Sequence, residues 1–282
     1  MKATNNYSLR DNLKFGVTAA AKALPNTPVL LRNQPYRQLF AQAKELGYDE
    51  LELHLRVPED GGITELIALE EEFGLGISAV ATGQSRGLDH LCLIDPSPEI
   101  RRKAVERMKQ FIDWASAVSC RGVILGNIRG NLPLGNQQES WQWLRSAMEE
   151  LLPYAERAKT AIFLEVINRY ENNYLTTAQE ANEFAASFQS GYLKTHLDTF
   201  HMNIEESDML RAIRDSEKAL GYIHFADNTR HACGDGALDF RAILGALQDI
   251  RYSGCATVEC LPIPDGPAAA EASLRHIKEM LA

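Results

Sequence analysis

The chain has 282 residues, 45% of them hydrophobic and 24% charged, and a formal net charge of −9 at pH 7. That is ordinary globular composition, enough for one large α/β domain or two small ones. The acidic balance and the lack of a Lys/Arg run argue against a nucleic-acid partner, because basic side chains facing phosphates supply much of that affinity. No apolar run reaches about 18 residues, and Met1 to Asn12 lacks an apolar leader core, so neither a membrane span nor a signal peptide is expected. Cys92, Cys120, Cys233, Cys255 and Cys260 form an odd set with no CxxC spacing. They read as free thiols of a reducing cytoplasm.

Strand and helix signals alternate along the chain. Lys14 to Ala19 reads as the first strand. Tyr36 to Leu46 is a helix closed by Gly47, Glu50 to His54 the second strand, and Ile63 to Phe73 a helix ended by Gly74. Gly76 to Ala81 is the third strand. Asp95-Pro-Ser-Pro opens a long helix to about Val118, since proline suits a first turn and Asp or Ser can cap it. Arg121 to Leu125 is the fourth strand, and Gln137 to Lys159 a second long helix that Pro153 could break. Ala161 to Ile167 is the fifth strand. Thr176 or Thr177 caps the next helix, with Glu180 at capping-box distance. Leu193 to Asp198, Gly221 to Phe225 and Gly254 to Cys260 complete the strands. The remaining helices are Glu206 to Asp215, the one capped by Asp239 up to Gln248, and Ala268 to Leu281. Eight strand–helix pairs with no composition break predict an α/β fold, a single (β/α)₈ TIM barrel spanning residues 1–282.

Four strands carry one ligand-type residue near their C-terminal end: Glu165, Asp198, His224 and Glu259. Strands of a parallel sheet are apolar on both faces, so each of these points into a packed interior. An unpaired carboxylate there is costly. One such residue is readily satisfied by a neighbour. Three carboxylates and an imidazole meeting at one mouth repel one another, and a divalent cation resolves the conflict. Oxygen-rich ligands with one imidazole suit Mn²⁺, Mg²⁺ or Co²⁺. Cys260 points away from Glu259 by strand alternation and reads as packing. His196 shares the inward face of Asp198 and reads as a barrel histidine satisfied by its neighbours, or as a group behind the cation.

Other polar residues also follow strand ends. His54 and Arg56, Gln84 to Arg86, Asn127 and Arg129, and Asn168 and Arg169 would sit at the barrel mouth, where some of them touch substrate. Arg56, Arg86, Arg129 and Arg169 would bind a phosphate if they converged. Gly234-Asp-Gly236 reads as a plain loop or as a phosphate cradle at a helix start. His90, His231 and His276 read as loop or surface residues.

The run Glu165-Val-Ile-Asn-Arg-Tyr-Glu171, then Leu197-Asp-Thr-Phe-His-Met-Asn-Ile-Glu-Glu206, then His224 with Arg230, then Val258-Glu259, resembles the ketose 3-epimerases. These are D-tagatose and D-psicose (allulose) 3-epimerase-like members of the xylose-isomerase-like TIM barrels. The resemblance covers residues 160 to 262 in motif, order and spacing. The first half matches only as a barrel, and Val166 stands where the family usually has proline.

The resemblance implies that Glu165, Asp198, His224 and Glu259 bind one divalent metal ion, Mn²⁺ first and Mg²⁺ or Co²⁺ as alternatives. Glu165 and Glu259 would be the catalytic acid–base pair. His201, Arg230 and Glu171 would bind the substrate, a small sugar, and the assembly would be a homodimer or homotetramer. The implied reaction is C3 epimerisation of a ketose through a metal-stabilised cis-enediolate. Inosose isomerisation or dehydration and aldose–ketose isomerisation remain alternatives on the same barrel, because all of them can run through an enediolate or enolate. A multi-zinc endonuclease would need more strand-end histidines, and a catalytically silent sugar-binding barrel would not need all the matched acids.

Overall fold

Eight β-prone runs pair in parallel, each with the next: Lys14–Ala20 (β1), Glu50–His54 (β3), Gly76–Ala81 (β4), Gly122–Leu125 (β5), Ala161–Glu165 (β6), Leu193–Asp198 (β7), Leu220–Phe225 (β8) and Cys255–Val258 (β9). A two-residue strand, Leu31–Arg32 (β2), lies beside the end of β1, outside the ring. The ring closes where Lys14 to Val17 of β1 pair with Cys255 to Val258 of β9. The structure is a computed structural model and describes residues 7–282. The reading of Met1 to Asn12 as free of a leader core therefore falls partly on residues 1–6, outside the described residues. Among the described residues no helix is long and apolar enough to cross a membrane.

The helices are Leu9–Asn12 (α1), Tyr36–Leu46 (α2), Ile63–Phe73 (α3), Gly83–Asp89 (α4), Pro98–Ala117 (α5), Gln137–Ala158 (α6), Ala178–Ala186 (α7), Thr199–Glu205 (α8), Met209–Asp215 (α9), Phe240–Asp249 (α10) and Gly266–Leu281 (α11). Strand alternation divides the core. Val123, Leu125, Ile162, Leu164, Ile223, Phe225 and Val258 face the helix layer. Ala79, Ala81, Ile124, Phe163, Tyr222 and Cys255 fill the barrel interior, where the Phe163 and Tyr222 rings stack 5.0 Å apart. The small inward residues of β4 leave room for the large rings of β6 and β8.

The sequence-predicted boundaries hold closely, with a few differences. β6 ends at Glu165, although Val166 and Ile167 stay buried. α6 continues through Pro153. A further helix, α4, occupies the stretch after β4 that contains Gln84. The helix expected from Glu206 begins at Met209, capped by Asp208, because Asp198 has already capped the separate short helix α8. At Gly47 the chain leaves α2 with φ 85°, a left-handed conformation that favours glycine.

The α7 cap is a full capping box. The Thr177 hydroxyl accepts from the Glu180 amide, and the Glu180 carboxylate accepts from the Thr176 amide at 2.8 Å and the Thr177 amide at 3.2 Å. Thr177→Ala is expected to cost about 1 kcal/mol, read as a shift of the urea midpoint with an unchanged slope.

Candidate active site

The C-terminal ends of four strands deliver the expected acids and imidazole to one place. Glu165 ends β6, Asp198 ends β7, His224 lies one residue before the end of β8, and Glu259 follows β9 directly. Register enforces this, since Asp198 pairs with His224 and Phe225 with Val258 across neighbouring strands. His224 Nδ1 lies 3.1 Å from a Glu259 oxygen, 3.6 Å from Asp198 and 3.9 Å from Glu165. One donor atom from each of the four falls within 4.8 Å of the others, a spacing that a single cation can span. His224 Nδ1 is buried and has no hydrogen-bond partner among the described residues. An orphaned imidazole nitrogen facing three carboxylates is a donor set that could hold a divalent cation. Gly126 makes room for it, because a Cβ there would lie 2.4 Å from Glu165 Oε2.

Asp198 splits its two oxygens. Oδ1 caps α8 by accepting from the Phe200 and His201 amides at 2.8 and 3.3 Å. Oδ2 accepts from Arg230 at 2.6 Å. The same guanidinium donates to Glu259, so Arg230 bridges two members of the cluster. Arg230 sits at φ 61°, an uncommon conformation for a residue with a side chain. α8 in turn holds His201, whose Nδ1 lies 2.6 Å from the Asn168 amide nitrogen. An amide nitrogen can only donate, so Nδ1 accepts and the ring proton of His201 sits on Nε2. Glu171 is half-exposed at the mouth, accepts from Asn168 at 3.2 Å and lies 4.0 Å from His201.

Above the cluster is a cavity of about 220 Å³. Glu52, His54, Glu165, His224, Arg230 and Glu259 line its polar side together with His201 and Glu171. Leu24, Pro28 and Val29, from the excursion between β1 and α2, form an apolar wall. Gln84 and Asn127 reach the cavity as expected of mouth residues, whereas Arg56, Arg86, Arg129 and Arg169 do not line it. Arg56 pairs with Asp89, and Arg169 with Glu205. Arg129 is fully buried and donates to the Glu165 carbonyl at 2.7 Å. The expected alternative of a converging arginine set is therefore not realised. The Gly234–Gly236 segment is a plain loop: Asp227 already accepts from the Gly234 and Leu238 amides.

The two loops that follow β5 and β6 are joined side by side. Asn173 accepts from the Leu132 amide and donates to the Leu132 carbonyl, both at 2.8 Å. Asn172 donates to the Gly130 carbonyl at 2.9 Å, and the Tyr174 hydroxyl to the Arg129 carbonyl at 3.1 Å.

Sequence reasoning missed one member of the site. Glu52, fully buried on β3, accepts from His224 Nε2 at 2.6 Å and from Tyr222 at 3.0 Å, and lies 2.9 Å from His54 Nε2. The signal was present in Glu50-Leu-Glu-Leu-His54. Period-two alternation puts Glu50, Glu52 and His54 on one face, and in a parallel barrel that face is the interior. His196 differs from expectation in the other direction. It is fully buried, yet neither ring nitrogen meets a hydrogen-bond partner among the described residues, and its ring packs edge-on against His224 at 4.2 Å. Cys260 is buried beside Ser273, as packing requires.

Electrostatics separates the carboxylates. Burial and then the repulsion of Glu259 push the Glu165 carboxyl up to about 8. Burial also disfavours charge on Asp198, but Arg230 and His201 outweigh it and hold the carboxyl well below its ordinary range. Burial opposes charge on His224, and Glu52 and Glu259 overcome it, raising the imidazole well above its ordinary range. Burial lowers His201, which keeps it a neutral donor. Burial beside a like charge raises one carboxyl, and a guanidinium at hydrogen-bond distance holds the other ionised.

For Glu165 the sign is unambiguous. Between about pH 4.5 and 8 the folded metal-free protein holds a proton that the unfolded chain releases. The Glu165 contribution to stability is thus present at low pH and lost as pH rises through that window. Glu165→Gln, which mimics the protonated form, is expected to gain on the wild type in thermal stability from pH 5 to 8 without metal. A constant difference between the two proteins across that range would contradict this assignment.

Comparison with known proteins agrees with this fold. Residues 40–280 match the family model described as a xylose isomerase-like TIM barrel. The D-psicose 3-epimerase of Enterocloster bolteae is 32% identical over 246 residues, 84% of this chain and 80% of that protein. The 3-dehydro-D-guloside 4-epimerase of Escherichia coli is 26% identical over 239 residues, 82% of this chain and 89% of that one. The fold superposes on the crystal structure of D-allulose 3-epimerase from Methylomonas sp. in complex with D-allulose, with a TM-score of 0.80 and 25% identity, covering 95% of this chain and 97% of that one. The chain belongs to the xylose isomerase-like TIM barrel family and, within it, to the ketose 3-epimerase group, isomerases that act on sugars.

Proposed function

We propose that this protein epimerises C3 of a free ketose or closely related keto sugar. In this reading Glu165 and Glu259 are the acid–base pair, and Glu165, Asp198, His224 and Glu259 hold one divalent cation, Mn²⁺ first and Mg²⁺ or Co²⁺ as alternatives. The observation that carries it is the arrival of two carboxylates, from β6 and β9, at one buried cluster under the cavity. When bound, the cation would act as a Lewis acid for negative charge on the substrate oxygens.

A hydrogen on the carbon beside a ketone is weakly acidic. One carboxylate takes the C3 proton, and the C–H electron pair moves into the C2–C3 bond and onto the C2 oxygen, giving an enediolate. The other carboxyl returns a proton to the opposite face and C3 is inverted. One base cannot easily serve both faces, which is why two are needed. Arg230, fixed by Asp198 and Glu259, would aim its free N–H groups at the oxygens near the reacting carbons, and His201 would donate from Nε2. Glu171 at the mouth would accept from a distal hydroxyl. The four mouth arginines lie off the cavity, which supports an unphosphorylated sugar. Among the described residues the cysteines are buried and unpaired, in keeping with a reducing cytoplasm.

Proton NMR in D₂O tests this. The Mn²⁺-loaded protein is incubated with D-fructose, D-psicose, D-tagatose and L-ribulose, and then with an inosose, and the metal is removed before spectra are taken. Deuterium at C3 with accumulation of the epimer is the expected result. Label at C1 with an aldose product would replace the reading by aldose–ketose isomerisation, and loss of water from an inosose by dehydration. The E. coli relative favours one second reading, exchange at C4 of a 3-keto glycoside, and label at C4 of such a substrate would establish it.

A further inference from the structure

We propose that Glu52 is the positioning residue of this centre, keeping the proton on His224 Nε2 so that Nδ1, which faces Glu165, Asp198 and Glu259, is the nitrogen that gives its lone pair to a cation. The inference rests on the cation-binding reading of that cluster and assigns a role to a residue outside it.

A neutral imidazole has one N–H and one lone pair, and its environment chooses which nitrogen carries which. An ionised carboxylate only accepts, so an oxygen 2.6 Å from His224 Nε2 selects the Nε2–H form. Nδ1 is then the nitrogen left to bind a cation, and the negative partner makes it a better donor. Among the described residues Glu52 is the only hydrogen-bond partner of the His224 ring. His196 touches the ring by its edge alone and cannot set the proton position.

The carboxylate is itself fixed. Its Oε2 also accepts from the Tyr222 hydroxyl at 3.0 Å, and its Oε1 meets His54 at 2.9 Å. Tyr222 is held in turn by Ser78 at 2.7 Å and Thr257 at 2.5 Å. The network ties β3, β4, β8 and β9 together beneath the cluster, and Glu52 is fully buried within it. A buried carboxylate with no arginine or lysine beside it is expensive and depends on its imidazole and hydroxyl partners.

Two readouts that do not depend on sugar turnover test it. Glu52→Gln keeps the shape, removes the charge, and lets the amide turn its NH₂ toward Nε2. Free Mn²⁺ followed by electron paramagnetic resonance is expected to show an affinity lowered about 10- to 100-fold. Proton–nitrogen NMR of histidine-labelled wild type, metal-free and Mg²⁺-loaded, is expected to show a far-downfield Nε2–H of His224. That resonance should move upfield or vanish in Glu52→Gln. If Glu52→Gln does not fold, Tyr222→Phe carries the test: it keeps the charge, loosens the carboxylate, and should shift the resonance while weakening Mn²⁺ only a few-fold. Mn²⁺ affinity in folded Glu52→Gln equal to wild type overturns the proposal, as does a His224 ring lacking Nε2–H. A wild type that takes up no Mn²⁺ overturns the cation reading instead, and the downfield position of the Nε2–H resonance, kept in wild type and lost in Glu52→Gln, then decides the role of Glu52 alone.

Discussion

Glu165→Gln and Glu259→Gln are each expected to slow interconversion of the two C3 epimers by roughly 10³-fold or more, near the upper range of general acid–base contributions. Both substitutions keep side-chain volume and replace a proton carrier by an amide that cannot ionise. The loss should be directional. With one base missing, the remaining carboxyl still faces one epimer, so slow C3 deuterium washout should persist from that epimer and not from the other. The two variants should show opposite preferences. Asp198→Asn, which removes charge without removing either base, should weaken cation binding and slow both epimers alike. Wild-type interconversion in either glutamine variant would falsify the two-carboxylate mechanism. Equal residual washout from both epimers would show that the two groups do not serve separate faces.

Removal of the divalent cation has the second largest expected effect. Dialysis against a chelator should abolish C3 exchange, and Mn²⁺ should restore it. The same cation should stabilise the fold. Free Mn²⁺ at a hundred times its Kd contributes about 2.7 kcal/mol to a protein that binds it only when folded. For a chain of this size that is a rise in Tm of roughly 5 °C. The effect should grow with pH, because the metal-free cluster relieves its repulsion with protons on Glu165 and His224, and the cation must displace them. At pH 5 binding competes with those protons; near pH 8 about half of the Glu165 carboxyls have lost theirs. Differential scanning at both pH values checks this, and calorimetry in two buffers of different ionisation enthalpy counts the protons released. Stabilisation that is equal at pH 5 and pH 8 would argue against the displacement.

The strand-end acids were legible because each interrupts an apolar run. Glu165 follows Ala-Ile-Phe-Leu and Glu259 follows Cys-Ala-Thr-Val, so a carboxylate in either place demands a partner. Glu52 was not legible by that rule. Its strand alternates polar and apolar, the pattern of a sheet with one wet face. Only after closure does the polar face turn inward, where Glu50 meets Arg121 and Glu52 meets His224. The short helix α8 was hidden for a related reason. Its cap is Asp198, whose side chain already had a role in the motif, and seven residues give little periodicity. The arginines at strand ends offered an anion site only if they converged, and convergence is a property of the folded chain rather than of its order. Tertiary geometry sends Arg129 under β6 and pairs Arg56 and Arg169 with acids elsewhere. His196 stands apart, since position in the strand predicts that it is buried but not that both nitrogens go without a partner.

The paired loops after β5 and β6 have a consequence for altering substrate scope. Asn172 and Asn173 stitch one loop to the backbone of the other at Gly130 and Leu132, and Arg129 pins the end of β6 from below. Glu171, at the cavity mouth, belongs to this stitched segment. The two loops are thus one exchangeable cassette. Grafting either from a relative with another sugar preference would orphan the asparagine amides or the carbonyls they serve, whereas grafting residues 126–136 together with 168–176 carries the loop-to-loop bonds along and leaves the contacts to Glu165, Glu180, His201 and Glu205 to be matched.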